Sequence, residues 1–204
     1  MRPVIARSNS PTNSVRPEQG DGMSAPFIFI AETLFELYIL CFMLRFVLQA
    51  GRADFHNPLS QFIVRVTNPL VVPLRRVVPG LRGLDMATVV LVLLLEILAT
   101  AVLIPLKTGV NPSVAMLLYF SLLRTVMSVL RLYVFAILIY AILSFVNPGS
   151  YNPLSSVLTS ICDPVLRPFR RIIPPIGGLD LSPLFLIIIL QALIMAIPLP
   201  GVLR

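Results

Sequence analysis

Residues 57–85, NPLSQFIVRVTNPLVVPLRRVVPGLRGLD, recur without a gap as residues 152–180, NPLSSVLTSICDPVLRPFRRIIPPIGGLD. Twelve of the 29 positions are identical at a constant offset of 95 residues, including the NPLS opening, the Arg75-Arg76 and Arg170-Arg171 pairs and the Gly-Leu-Asp exit. Such a repeat commits the chain to building one unit twice and is read before any single element. Apolar runs flank each copy, 27–50 and 86–106 around the first, 125–146 and 181–199 around the second. The unit is apolar run, basic proline-studded segment, apolar run.

Composition says where such a unit can exist. Hydrophobic residues are 57% of the chain and charged residues 12%, against about 45–50% and about 25% in soluble domains. A hydrocarbon core about 30 Å thick is crossed by about 20 apolar residues in a helix, the length of each run. The predicted fold is an all-α integral membrane protein, four transmembrane helices in two tandem parallel repeats. The stretch 113–146 exceeds one span, so its part up to Arg124 is expected in the interface or as an extension of a tilted helix. The repeats are placed at 24–106 and 125–204, with 107–124 as linker or interfacial lead-in. Residues 1–22, rich in Ser, Asn, Pro and Arg, have no hydrophobic periodicity and no signal-peptide core. They are expected to be a disordered tail, or a wrongly assigned start preceding Met23.

The net charge of +7 comes from short segments beside the spans, where anionic lipid headgroups account for it more simply than nucleic acid does. The repeat segments hold eight Arg, the opposite side five Arg and Lys in all. By the positive-inside rule the repeat segments are cytoplasmic and both termini outside. Cys41 and Cys162 have no metal-ligand or redox spacing and read as small apolar fillers. The only histidine, His56, lacks a partner with ligand spacing. No metal, cofactor or catalytic constellation is expected.

Within each segment, Asn57-Pro58 and Asn152-Pro153 pair a capping side chain with a proline suited to the first helical turn. Asn68-Pro69 and Asp163-Pro164 repeat that signal eleven residues later. Pro73 and Pro168 are expected to interrupt or kink the second helix so begun. Polar Gln61, Arg65, Asn68, Arg75 and Arg76 fall on one side of a helical wheel, Phe62, Val66, Leu70 and Leu74 elsewhere. The segment therefore lies on the membrane surface or forms a re-entrant hairpin. Arg75, Arg76, Arg170 and Arg171 face anionic headgroups or an acidic partner protein. Asp85 and Asp180 read as caps of the helices that follow.

Ionisable residues inside spans are costly and mark sites. Glu36 and Arg131 stand 95 residues apart, so a pseudo-two-fold axis places them at one height, where they are expected to pair. Glu96 lies about 15 to 17 Å into its span at 1.5 Å per residue, with the neutral Gln191 at its equivalent position. The three form either an ion pathway or, more economically, a structural pair that fixes register. Glu32, Arg45 and Arg124 are expected to snorkel from span ends.

Two gapless copies of N-P-x(10)-[ND]-P-x(3)-P-x-R-R-x-x-P, with the GGLDLSPLFLIIIL continuation, resemble the YggT family of small bacterial membrane proteins over residues 24–200. The resemblance implies a multi-pass helical protein of the bacterial inner membrane without enzymatic activity. It also implies a link to osmotic-stress tolerance, cell division or envelope organisation, with no cofactor. The reading is a non-enzymatic scaffold touching anionic lipid, and an unidentified protein partner or further copies of itself would fit it. The competing reading is a channel or transporter component using Glu36, Arg131 and Glu96.

Overall fold

A computed structural model describes residues 21–80, 83–146, 152–173 and 180–203. Most of residues 1–22 therefore lies outside it, and Asp21 and Gly22 already belong to the first helix. The described residues form α1 (Asp21–Ala50), α2 (Pro58–Arg75), α3 (Met86–Thr108), α4 (Val114–Val146), α5 (Pro153–Ile172) and α6 (Ser182–Ala196), then a 3-10 turn, Gly201–Leu203. Three helices, Ala25–Ala50 within α1, α3 and α4, are long and apolar enough to cross a membrane. The long apolar stretch becomes one uninterrupted 33-residue helix, so its first part extends α4 and is not a separate interfacial element.

The prolines explain the remaining boundaries. Asn57 accepts the Leu59 backbone N–H at 2.9 Å. Asn152 accepts that of Ser155 at 2.7 Å while the Ser155 hydroxyl accepts the Asn152 N–H at 3.1 Å, a capping box. Asn68 and Asp163, expected as second caps, lie inside α2 and α5, which run unbroken through Pro69, Pro73, Pro164 and Pro168. No break occurs because Pro69, Pro73 and Arg65 share the exposed side of α2, where carbonyls without an N–H partner can meet water.

α6 corrects the expected fourth run of 181–199, ending at Ala196 after 15 residues, or about 22 Å of helix. Pro198 drives the preceding Ile197 to the extended conformation, φ −70° and ψ 122°. The chain then turns inward, and Leu199 and Leu203 bury against Ile104 and Met127.

α1 packs chiefly on α3, α3 on α4 and α4 on α6, while α2 lies across α1 and α3, and α5 across α4 and α6. At the α3–α4 corner Gly109 adopts φ 68°, and its N–H caps the Pro105 carbonyl at 2.8 Å. An L-residue is strained there. The main core gathers Phe42, Leu48, Leu103, Ile137, Ile161 and Leu166, each nearly or wholly inaccessible. Where the halves meet, Asn57 Nδ2 donates to the Pro153 carbonyl at 2.7 Å. Gly51 sits so close to α5 that an added Cβ would overlap the Ser160 carbonyl oxygen.

That overlap makes Gly51→Ala destabilising by about 1–3 kcal/mol, the usual range for overpacking. Gly201→Ala, with nothing within 4 Å of an added Cβ, leaves the unfolding midpoint unchanged in the same detergent melt. Equal midpoints for the two variants would contradict the packing of the α1–α2 corner on α5.

Candidate functional site

The two arginine pairs divide their work in the same way in both copies. Arg75 turns back to Asp85, its Nε donating to Oδ2 at 3.0 Å and its Nη2 reaching the same oxygen. Ninety-five residues on, Arg170 Nε donates to Asp180 Oδ2 at 2.8 Å. Each is a latch from the end of a surface helix to the residue that opens α3 or leads into α6. The second arginines, Arg76 and Arg171, stand exposed and make no ion pair among the described residues. Of the four arginines expected at headgroups or a partner, Arg75 and Arg170 are thus engaged within the protein.

Matched positions also surround each latch. Arg45 of α1 donates to Asn68 Oδ1 at 2.9 Å and Thr67 Oγ1 at 2.6 Å, and stands 3.7 Å from Asp85. Its equivalent in α4 is Tyr140, whose hydroxyl accepts from Arg170 Nη2 at 2.8 Å. Asp163, the equivalent of Asn68, accepts from Arg170 Nη1 at 2.7 Å. Thus one residue from a long helix, two from a surface helix and the leading aspartate converge twice. Arg45 is 4% exposed and Arg124 likewise, so neither snorkels. Their guanidiniums have partners inside, which removes the reason to reach the interface.

Electrostatics follow from the contacts. Burial raises the Asp85 pKa, but hydrogen bonds from Arg75 and Thr88 and the nearby Arg charges outweigh it, holding the carboxyl below its ordinary value. For Asp180, burial is likewise outweighed by Arg170 and Ser182. Burial opposes the Arg170 charge, yet bonds to Asp180, Asp163 and Tyr140 raise its pKa. Burial, with Asp163 beside it, pushes the Cys162 thiol up to about 12, so it stays protonated and packs as a small filler.

Glu96 is 1% exposed midway along α3. It accepts from Arg124 Nε at 3.1 Å and Ser128 Oγ at 3.0 Å. Arg124 Nη1 also donates to the Leu203 carbonyl at 3.4 Å, so the C-terminal turn closes over this pair. Glu36 approaches Arg124 Nη2 at 4.0 Å and does not pair with Arg131. The expected pair is replaced because α4 presents Arg124, seven residues before Arg131, to Glu36. Glu32, expected to snorkel, pairs with Lys107 at 2.6 Å.

Glu36, Glu96, Ser128 and Arg131 line one end of a cavity of about 550 Å³ between α1 and α4, whose other walls are apolar side chains and the first turns of α2 and α5. The structure thus brings Glu36 and Glu96 to one cluster and leaves Arg131 on its rim.

Sequence reasoning missed the latch carboxylates and Arg124. The signal for the first was the ten-residue spacing of Arg75 to Asp85, kept in Arg170 to Asp180. For the second it was symmetry about a corner, since Glu96 and Arg124 stand equally far from residue 110 beside the α3–α4 turn.

Comparison with known proteins places this geometry among relatives. The family model described as CCB3/YggT matches residues 24–106 and 119–199. An uncharacterized protein of Pseudomonas aeruginosa is 45% identical over 177 residues, 86% of this chain and 90% of that protein. The uncharacterized protein YggT of Escherichia coli K12 is 35% identical over 170 residues, 83% and 87% of the two chains. YlmG homolog protein 2, chloroplastic, of Arabidopsis thaliana is 51% identical over 45 residues, 22% of this chain and 16% of that one. No solved structure matches.

Two outcomes follow. Glu96→Gln strands the buried Arg124 charge and costs about 3–5 kcal/mol, whereas Glu96→Gln with Arg124→Met costs clearly less, because no unpaired charge remains. Detergent unfolding of both variants checks this, and additive losses would contradict the pairing. Asp85 and Asp180 have lowered pKa values in the fold, so their stabilisation is complete above the unfolded value, about 3.9, and is lost as pH falls through the folded value. The midpoint difference between the parent and Asp85→Asn/Asp180→Asn is therefore full at pH 6 and shrinks below pH 4. A difference constant across that range would contradict it.

Proposed function

The chain belongs to the CCB3/YggT family, and from that premise we propose that it is a non-enzymatic scaffold of the bacterial inner membrane. It serves envelope organisation, in the osmotic-stress or cell-division setting to which the family resemblance points. In this reading four helices cross the bilayer, α6 completing its short path with residues 197–203, which Leu199 and Leu203 anchor against Ile104 and Met127. The two repeats stand parallel, with α2 and α5 on the cytoplasmic face and both termini outside.

The observation that carries the proposal is the repeated latch. An amphipathic helix needs only an apolar face and basic residues to rest on a membrane. These two are fixed in orientation by ion pairs to the helices beneath, leaving Arg76 and Arg171 outward at set positions. A fixed basic platform suits anionic headgroups at ~1 kcal/mol per Arg, or an acidic partner protein docked upon them. Against transport stands the local satisfaction of two intramembrane carboxylates, Glu96 by Arg124 and Ser128, Glu32 by Lys107. These are closed groups, whereas a conducting path needs a continuous polar lining.

Function and flux are tested together. In a bacterium lacking its own family member, the parent gene restores growth after osmotic upshift, and Arg76→Gln/Arg171→Gln restores it less. The purified protein in liposomes passes no more ions than empty liposomes. A flux that Glu96→Gln abolishes would replace the scaffold by a transporter. Topology has its own measurement, in a cysteine-free background in intact cells. An impermeant maleimide labels Val110→Cys and misses Val77→Cys, both exposed positions. The reverse pattern would invert the orientation.

A further inference from the structure

Arg131 is the one intramembrane charge singled out above for which the fold supplies no ion-pair partner among the described residues. It lines the groove between α1 and α4 from the α4 side, and Glu36, its side chain 48% exposed, lines it from the α1 side. The two lie at matching depth, roughly 21 Å from the end of α1 and roughly 22 Å from the end of α4 at 1.5 Å per residue. Between them and the surface helices the lips carry Leu40, 37% exposed, and Phe135, 63% exposed, again 95 residues apart. An unpaired guanidinium at mid-depth is costly in hydrocarbon.

We propose that this groove is the docking face for a second copy of the chain, joined about a two-fold axis parallel to the membrane normal. The argument is charge complementarity under that symmetry. Rotation about such an axis preserves height and sets the α1 lip of one copy against the α4 lip of the other. Glu36 of each copy then meets Arg131 of its neighbour, two ion pairs made by one self-complementary surface, as an isologous interface requires. Leu40 and Phe135 meet across the same seam. A lipid chain could fill the apolar part of the groove but brings no anion to mid-depth, because headgroups stay at the membrane surface. The proposal rests on reading α1 and α4 as spans, which the maleimide topology measurement tests separately.

The experiment uses two differently tagged full-length copies co-expressed in membranes. With Leu40→Cys in one and Phe135→Cys in the other, mild oxidation links the two tags, whereas two Leu40→Cys copies link at least fivefold less. Charge reversal then separates pairing between copies from pairing within one. Glu36→Arg alone sets Arg against Arg twice, and Arg131→Glu alone sets Glu against Glu twice, so each variant by itself loses most of the cross-linking. Mixing a Glu36→Arg copy with an Arg131→Glu copy restores it, because both contacts again join opposite charges, and that recovery shows that each variant folds. Equal linking by all cysteine combinations, or rescue only when both reversals stand in one chain, would overturn the proposal. So would a parent that stays monomeric by single-molecule counting in bilayers while its topology is as stated, leaving the groove to lipid.

Discussion

A guanidinium at the end of each surface helix, bound to the carboxylate at the head of the next helix, is the interaction on which the architecture turns. Without it α2 and α5 would be held to the other helices chiefly by their apolar faces. With it, Arg75 to Asp85 and Arg170 to Asp180 set the corner through which each surface helix returns to the bundle. The surrounding positions keep the bond and change its company. The first cluster has two cations, Arg45 and Arg75, against one anion, Asp85, with Asn68 neutral. The second has two anions, Asp163 and Asp180, around Arg170, with Tyr140 neutral and the exposed Arg167 standing 3.6 Å from Asp163. The substitutions are coupled: where the long helix brings Arg45 the surface helix offers a neutral amide, and where it brings Tyr140 the surface helix offers a carboxylate that loads Arg170 further.

Deeper in the bundle the physics differs. Between apolar helices in lipid there is no hydrophobic drive to associate, so packing and internal polar bonds hold them. Glu96, Arg124 and Ser128 form one such group, tying α3 to α4 and closed by the Leu203 carbonyl. Glu32 and Lys107 tie α1 to α3. Both groups join helices already adjacent through the main contacts, which is what register-fixing pairs do. Glu36 and Arg131 belong to neither group fully, and their place on the lips of the groove is the ground for a second copy.

Much of this was legible in the sequence. The repeat and the apolar runs gave the helical elements and their order, because run length and proline position act locally. The caps at Asn57 and Asn152 were equally readable. The second set, Asn68 and Asp163, misled because Asn-Pro and Asp-Pro look alike as an N-cap and inside a helix whose neighbours claim the side chain. The short α6 was written in Pro198 and Pro200, outweighed by the apolar run around them. Burial of Arg45 and Arg124 was not readable, since whether a long side chain reaches inward or outward depends on which helix stands beside it. Which arginine of α4 approaches Glu36, Arg124 and not Arg131 seven residues on, belonged to tertiary packing.

The most direct test of the latch is a double-mutant cycle across Arg170 and Asp180. Arg170→Gln, Asp180→Asn and the double variant are unfolded reversibly in detergent, beside the same cycle across the exposed Arg171 and Asp180. A charged hydrogen bond of this kind gives a coupling of about 1.5–3 kcal/mol for Arg170 with Asp180, and near zero for Arg171. Losses at Arg170 and Asp180 that simply add, within about 0.3 kcal/mol, would show that the carboxylate does not hold the surface helix, and the account of how both repeats are fixed would fail.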